Sequence, residues 1–221
     1  MNIIPSEAYN DSLQTYISFP KPYKEHEFNQ SIGVSVTVLP RSVFEDAYSQ
    51  LPMIYYKARY GLPYNFSANG RFNTVIFTNQ ASIGLMWSYN FNDYYIAAAY
   101  EWGQWFGFME SEGLSIKSRG SLNYPSISLG HQFDKVRLTL KGELMIQTQK
   151  TAVDGLAIGQ SFNGISGYAI SAIIEQPLWK NHTVLGEIKL NFNKFHYQTW
   201  LSYSTFNSFI LYPEIIFGFN L

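Results

Sequence analysis

A two-residue alternation of apolar and polar side chains recurs along this chain, and few folds can accommodate it. Residues 135–147 show it most cleanly: Val136, Leu138, Leu140, Leu144 and Ile146 oppose Lys135, Arg137, Thr139, Lys141, Glu143 and Gln147. Residues 184–193 repeat it, with Val184, Ile188, Leu190 and Phe192 against Glu187, Lys189, Asn191 and Asn193. Across residues 81–91, Ala81, Ile83, Leu85, Trp87, Tyr89 and Phe91 share one parity and Ser82, Gly84, Met86, Ser88 and Asn90 the other. Beyond Asn92-Asp93, Tyr94, Ile96, Ala98, Tyr100 and Trp102 fall on one face. Successive side chains of a strand point to opposite faces, so these segments are predicted strands with one apolar and one polar surface.

Two architectures fit such strands: a soluble sheet with one wet face, or a membrane barrel with lipid outside and a polar lumen. Composition bears on the choice. Aromatic residues make up 18% of the 221 residues and charged residues 14%, against roughly 25% charged in soluble globular domains. Mean hydropathy is nevertheless −0.12, so apolar residues are spread along the chain instead of blocked. A transmembrane helix needs about 20 mostly apolar residues. The longest apolar run here, Tyr94 to Tyr100, ends at Glu101, which excludes a helical membrane protein. A net charge of −1 argues against a nucleic-acid partner, which calls for a basic excess. The absence of cysteine rules out a disulfide scaffold, a thiolate metal site and a cysteine nucleophile.

Turn signals divide the chain. Short turns are predicted at Leu62-Pro63-Tyr64-Asn65, Asn92-Asp93, Asp134 and 177–181, with a tight link at Asn79-Gln80. Longer connections fall at 40–52, 106–121, 149–163 and 199–207. Ten strands lie between them, at about 31–39, 53–61, 66–78, 81–91, 93–105, 122–133, 135–148, 164–177, 182–198 and 208–221. Short turns alternating with long loops are the pattern of outer-membrane barrels, and an even strand count puts both chain ends on the short-turn side. Residues 1–30, with three prolines and the charged stretch Lys21–Glu27, lie outside the pattern and are expected to form a periplasmic segment or an inward plug. The N-terminus shows neither the basic nor the apolar part of a signal peptide, so a targeting peptide is expected to have been removed.

The last strand alternates Ile215, Phe217, Phe219 and Leu221 with Ile216, Gly218 and Asn220 and stops at the final residue. It resembles the C-terminal strand of bacterial outer-membrane proteins, where the last residue is usually aromatic and here is Leu221. Arg59-Tyr60-Gly61-Leu62 and Gln176-Pro177-Leu178-Trp179-Lys180-Asn181 resemble stretches of Bacteroidota-type barrels. Over residues 31–221 the resemblance implies an all-β, closed antiparallel transmembrane barrel of about ten strands in the outer membrane of a Gram-negative bacterium. It implies no particular activity.

In such a barrel the apolar parity faces lipid. The membrane-facing candidates are Trp87, Tyr89, Phe91, Trp102, Leu138, Leu140, Phe217, Phe219 and Leu221. Tyr89 and Phe91 should mark the turn-side girdle, and Trp102 and Trp105 the loop side, because ring side chains favour the headgroup level. The lumen should receive Lys57, Arg59, Arg71, Glu101, Lys135, Arg137, Lys141, Glu143, Glu175, Glu187 and Lys189. Mixed signs make a lumen filled by paired charges the leading reading, because barrels near eight strands are just wide enough for side chains to fill and a buried charge must be paired. The function expected is non-enzymatic: an accessory or structural subunit of an envelope assembly, with outer-membrane lipid and other envelope proteins as partners.

Three other readings stay open. A small-solute channel would use the same charges as a selective pore. A rim hydrolase acting on lipid would pair His196 with Ser202 or Ser204, which requires hydrogen-bond approach of base and nucleophile. A soluble calycin-like or sandwich protein would bury the aromatics as its core. A surface-protease arrangement is disfavoured, since Asp93 and Asp134 fall in short turns and Asp154 has no histidine nearby in sequence. No metal-ligand or phosphate-loop spacing is present, and no cofactor is expected.

Overall fold

The computed structural model describes residues 16–38, 52–75, 78–111, 114–153, 156–179, 182–194 and 208–221. Ten strands form one antiparallel sheet that closes on itself: β1 (Phe28–Thr37), β2 (Met53–Gly61), β3 (Phe66–Val75), β4 (Thr78–Phe91), β5 (Tyr94–Ser111), β6 (Leu114–Phe133), β7 (Val136–Val153), β8 (Leu156–Trp179), β9 (His182–Asn193) and β10 (Ile210–Asn220). Each strand pairs with its sequence neighbour, and β1 seals the sheet against β10 from Ser31↔Asn220 to Thr37↔Glu214. The amide of Leu221 donates to the Gln30 carbonyl at 2.9 Å, which leaves the chain end docked on the seam. Closure pairs the edges that an open sheet would leave exposed.

The tight turns form where the sequence tolerates a left-handed backbone. Tyr64 and Asn65 have φ of 60° and 64°, Asn92 53° and Asp134 46°. Asn and Asp visit this region at least cost among non-glycine residues, because their short polar side chains can bond locally. These turns share one end of the barrel, called here the turn side.

The strand heights differ from the sequence expectation. Segments 106–121 and 149–163, expected as long loops, are mostly strand: β5 and β6 pair as far as Ser111↔Leu114, and β7 and β8 as far as Val153↔Leu156. On β6 the outward positions above the apolar belt are polar (Asn123, Ser121, Arg119 and Lys117), so the alternation that marks a half-apolar strand fades although the ladder continues. Strands β5–β8 therefore have 18, 20, 18 and 24 residues against 10, 9 and 10 in β1–β3, and one wall stands taller on the loop side. The link expected at Asn79-Gln80 is instead the start of β4, with Asn79 paired to Thr74. Strand β1 begins at Phe28, so residues 28–30 belong to the barrel. Strand β9 ends at Asn193; the rest of the long strand expected to 198 lies outside the described residues.

The packing is inverted relative to a water-soluble domain. Ile83 and Ile127 are each 64% exposed on the outer face, whereas Arg59 and Arg137 are 1% exposed within. Trp87, Tyr89, Phe91, Trp102, Leu138, Leu140, Phe217, Phe219 and Leu221 all lie exposed on the outside. Rings form a row near the turn side, from Phe91 to Tyr94 (5.8 Å between centroids), His131 (4.6 Å) and Phe133 (4.2 Å). Trp105 corrects the expected loop-side girdle. Three residues from Trp102, it has the opposite parity, and it is buried inside the barrel with Leu122, Tyr124 and Met145.

Candidate functional site

The interior divides into three levels along the barrel axis. At mid-height, Glu143 on β7 is the hub of a charge network. Its carboxylate meets Lys141 Nζ at 2.8 Å, Lys189 Nζ at 3.0 Å and Arg71 Nη1 at 3.8 Å. Arg71 Nη2 also lies 3.1 Å from Glu101, which accepts from Ser82 Oγ at 3.1 Å. Lys57 and Glu187 pair at 3.4 Å. Six strands supply these groups, each from a position whose parity alternates with an outward apolar residue. The rest follows from register: Lys57 sits opposite Arg71, and Lys189 opposite Ser171 and Glu214.

Above the network, toward the loop side, aromatic and amide groups fill the bore. Tyr124 lies under the Arg71 guanidinium at 4.6 Å and accepts from Gln80 Nε2 at 2.8 Å. Trp105, Leu122 and Met145 pack with it. The space left in the middle of the lumen amounts to about 100 Å³, room for several waters, since one needs roughly 10–15 Å³ of such volume.

Below the network, the N-terminal segment enters the bore. Ile17 packs against Tyr55, Ile173, Leu185 and Ile216, and Tyr16, Phe19 and Tyr23 form a second cluster against Tyr95. Residues 16–23 make no strand pairing and are held by two charged side chains; farther on, the His26 amide donates to the Gly61 carbonyl at 3.1 Å and the Gly61 amide to the Glu27 carbonyl at 2.8 Å. Glu175 accepts the amides of Ile17 at 2.8 Å, Ser18 at 3.3 Å and Phe19 at 2.7 Å, and Asn220 Nδ2 donates to it at 2.9 Å. From the other wall Arg59 donates to the carbonyls of Phe19 at 2.8 Å and Lys21 at 3.0 Å, with its guanidinium 3.9 Å from the Tyr23 ring. Arg137 lies over the Tyr16 ring at 4.6 Å. Burial pushes the Tyr16 and Tyr23 hydroxyls above the ordinary phenol range. Tyr23 therefore stays protonated and donates to the Tyr16 carbonyl.

Two glycines make room for this segment. A Cβ on Gly130 would come within 2.7 Å of Phe19 and Pro20, and one on Gly61 would overlap the Lys24 carbonyl. Arg59-Tyr60-Gly61, met in the sequence only as a resemblance, thus serves the segment three times: Arg59 binds its carbonyls, Tyr60 OH meets His26 Nδ1 at 2.6 Å, and Gly61 admits its backbone.

Among the residues expected in the lumen, Arg59, Glu101, Arg137, Glu143, Glu175, Glu187 and Lys189 are buried inside, and Lys57, Arg71 and Lys141 are partly buried there. Lys135 is a correction: it sits exposed in the Asp134-Lys135 turn, because β7 starts only at Val136. Sequence reading missed Glu214, buried beside Asn191 Nδ2 at 3.4 Å, although its alternation with Ile215 and Phe217 signals an inward position. It also missed the main-chain clamp, which leaves no side-chain pattern in the segment it holds. His196, Ser202, Ser204 and Asp154 lie outside the described residues. His182 is exposed beside a turn, His26 is at the turn-side rim, and His131 stands among the outer rings. Among the described residues, no group of three His, Asp or Glu is placed to hold a metal.

No protein-family model matches the chain, and no curated protein sequence does. Among the solved structures similar to it are three outer-membrane β-barrel proteins. Neisserial surface protein A is 14% identical over 88% of this chain and 96% of its own, with a TM-score of 0.38. The translocator domain of the autotransporter NalP from Neisseria meningitidis is 12% identical over 87% and 86%, with a TM-score of 0.44. OccK5 of Pseudomonas aeruginosa is 10% identical over 86% and 62%, with a TM-score of 0.26.

Proposed function

We propose that this chain is an integral outer-membrane barrel of a Gram-negative bacterium that neither conducts nor catalyses. In this reading it serves as an accessory or structural subunit of an envelope assembly. One observation carries the proposal: the bore is occupied at every level. The N-terminal segment sits at the turn side, the Glu143 network at mid-height and the Trp105–Tyr124 cluster above. A hydrated ion would have to displace paired charges, and breaking a buried pair costs about 3–5 kcal/mol.

The outward belt supports the membrane placement. In water each exposed aliphatic or aromatic side chain forgoes about 1.5–3 kcal/mol of burial, whereas lipid removes that cost. A closed barrel pairs its backbone groups internally, as a strand structure in lipid must. The motifs at Arg59–Leu62 and 176–181 favour a Bacteroidota-type source. With the bore filled, the outer wall and rims remain as contact surfaces for envelope proteins. Planar-bilayer recording tests the reading. Insertion without stepwise current is expected; a steady open-state conductance would replace the filled barrel with a channel.

A further inference from the structure

The tall wall carries charge where the belt ends. Strands tilted by about 40° climb roughly 2.5 Å per residue, so an apolar band about 25 Å high takes about ten residues. Counted from Tyr94 at the turn side of β5, ten residues reach Gln104, the first polar outward position of that strand. On β6 the outward series turns polar at Asn123, which accepts from Tyr100 OH at 2.7 Å. Asn123 is the register partner of Trp102 and Ser121 that of Gln104, so the boundary on the two strands agrees within one rung.

Above it the ladder pairs Phe106 with Arg119 and Phe108 with Lys117. Phe106 and Phe108 are 54% and 63% exposed. Arg119 and Lys117 are exposed too, and no ion pair or hydrogen bond engages either among the described residues. Two rungs therefore present an aromatic ring beside a cation, about 5 and 10 Å beyond the belt by the same count.

We propose that the outer surface of β5–β6 above Gln104 is a docking site for an anionic, phosphate-bearing lipid headgroup of the loop-side leaflet. Lys117 and Arg119 bind the phosphate, and Phe106 and Phe108, on the same two rungs, lie beside the glycerol and headgroup. Cations at a membrane surface and rings at headgroup depth both suit the phosphate and glycerol level of such a lipid. The inference rests on the membrane-spanning reading.

The test is native mass spectrometry of the full chain released from vesicles of phosphatidylcholine with phosphatidylglycerol. Wild type should retain phosphatidylglycerol over phosphatidylcholine, and K117Q/R119Q should lower that preference by about fivefold or more. The charge-conserving K117R/R119K should restore it, and Lys135→Gln on the turn side should leave it unchanged. Equal preference in wild type and K117Q/R119Q would overturn the proposal. So would displacement of phosphatidylglycerol by millimolar inorganic phosphate, since the site would then bind a free anion. Failure of wild type to enter phosphatidylcholine vesicles would instead overturn the membrane reading, and so separates the two.

Discussion

At the scale of single residues, Glu175 decides whether the turn-side end is closed. Its carboxylate takes three successive main-chain amides, a contact that does not depend on the side chains of the segment it holds. Hydrogen bonds to a charged group contribute about 1.5–3 kcal/mol each, so Glu175→Ala should free residues 16–23 while the ladder stays intact. The chain has no cysteine, which makes a single Ser18→Cys a clean reporter. Its alkylation should be slow in the parent and at least about tenfold faster with Glu175→Ala. Equal rates in two folded proteins would show that the apolar contacts of Ile17, Phe19 and Tyr23 hold the segment unaided. Individual inward residues were readable wherever alternation was strict: Arg137, Glu143, Glu187 and Lys189 follow directly from their neighbours. Lys135 was not, because alternation cannot tell the last turn residue from the first strand residue.

At the scale of elements, β6 carries a proline in mid-strand. The β6–β7 ladder runs to Asn123↔Ile146, resumes at Ser126↔Glu143, and has no pair between. Proline lacks the amide a ladder requires, and Pro125 lies in that gap, opposite Tyr100 of β5. Pro125→Val should restore a rung and raise stability by about 1 kcal/mol, read as a higher midpoint in urea unfolding from phosphatidylcholine vesicles. A lowered midpoint would mean that the gap relieves strain between the walls. The number of strands and nearly all their turn-side ends were legible, since Asn, Asp and Pro mark those turns. The loop-side ends of β5–β8 were not. Past the belt the outward series of β6 is polar while Trp105 and Leu122 point inward, so the apolar-out pattern no longer marks the strands although the hydrogen bonds continue.

At the scale of the whole molecule, a chain with little charge places much of it inside. Six cations (Lys57, Arg59, Arg71, Arg137, Lys141 and Lys189) and five carboxylates (Glu101, Glu143, Glu175, Glu187 and Glu214) line the bore, and its near-neutrality is what lets it close around them. The inversion was legible from sequence as alternation, and the outward face was assigned from the aromatic load, the turn lengths and the last strand, because alternation alone reads the same in a soluble barrel. Tryptophan fluorescence in bilayers of chain-brominated phosphatidylcholine tests that assignment directly. Single-tryptophan variants retaining only Trp87 or Trp102 should be strongly quenched relative to unbrominated lipid, and one retaining only Trp105 should be little affected. Quenching of Trp105 with sparing of Trp87 and Trp102 would contradict an inside-out barrel.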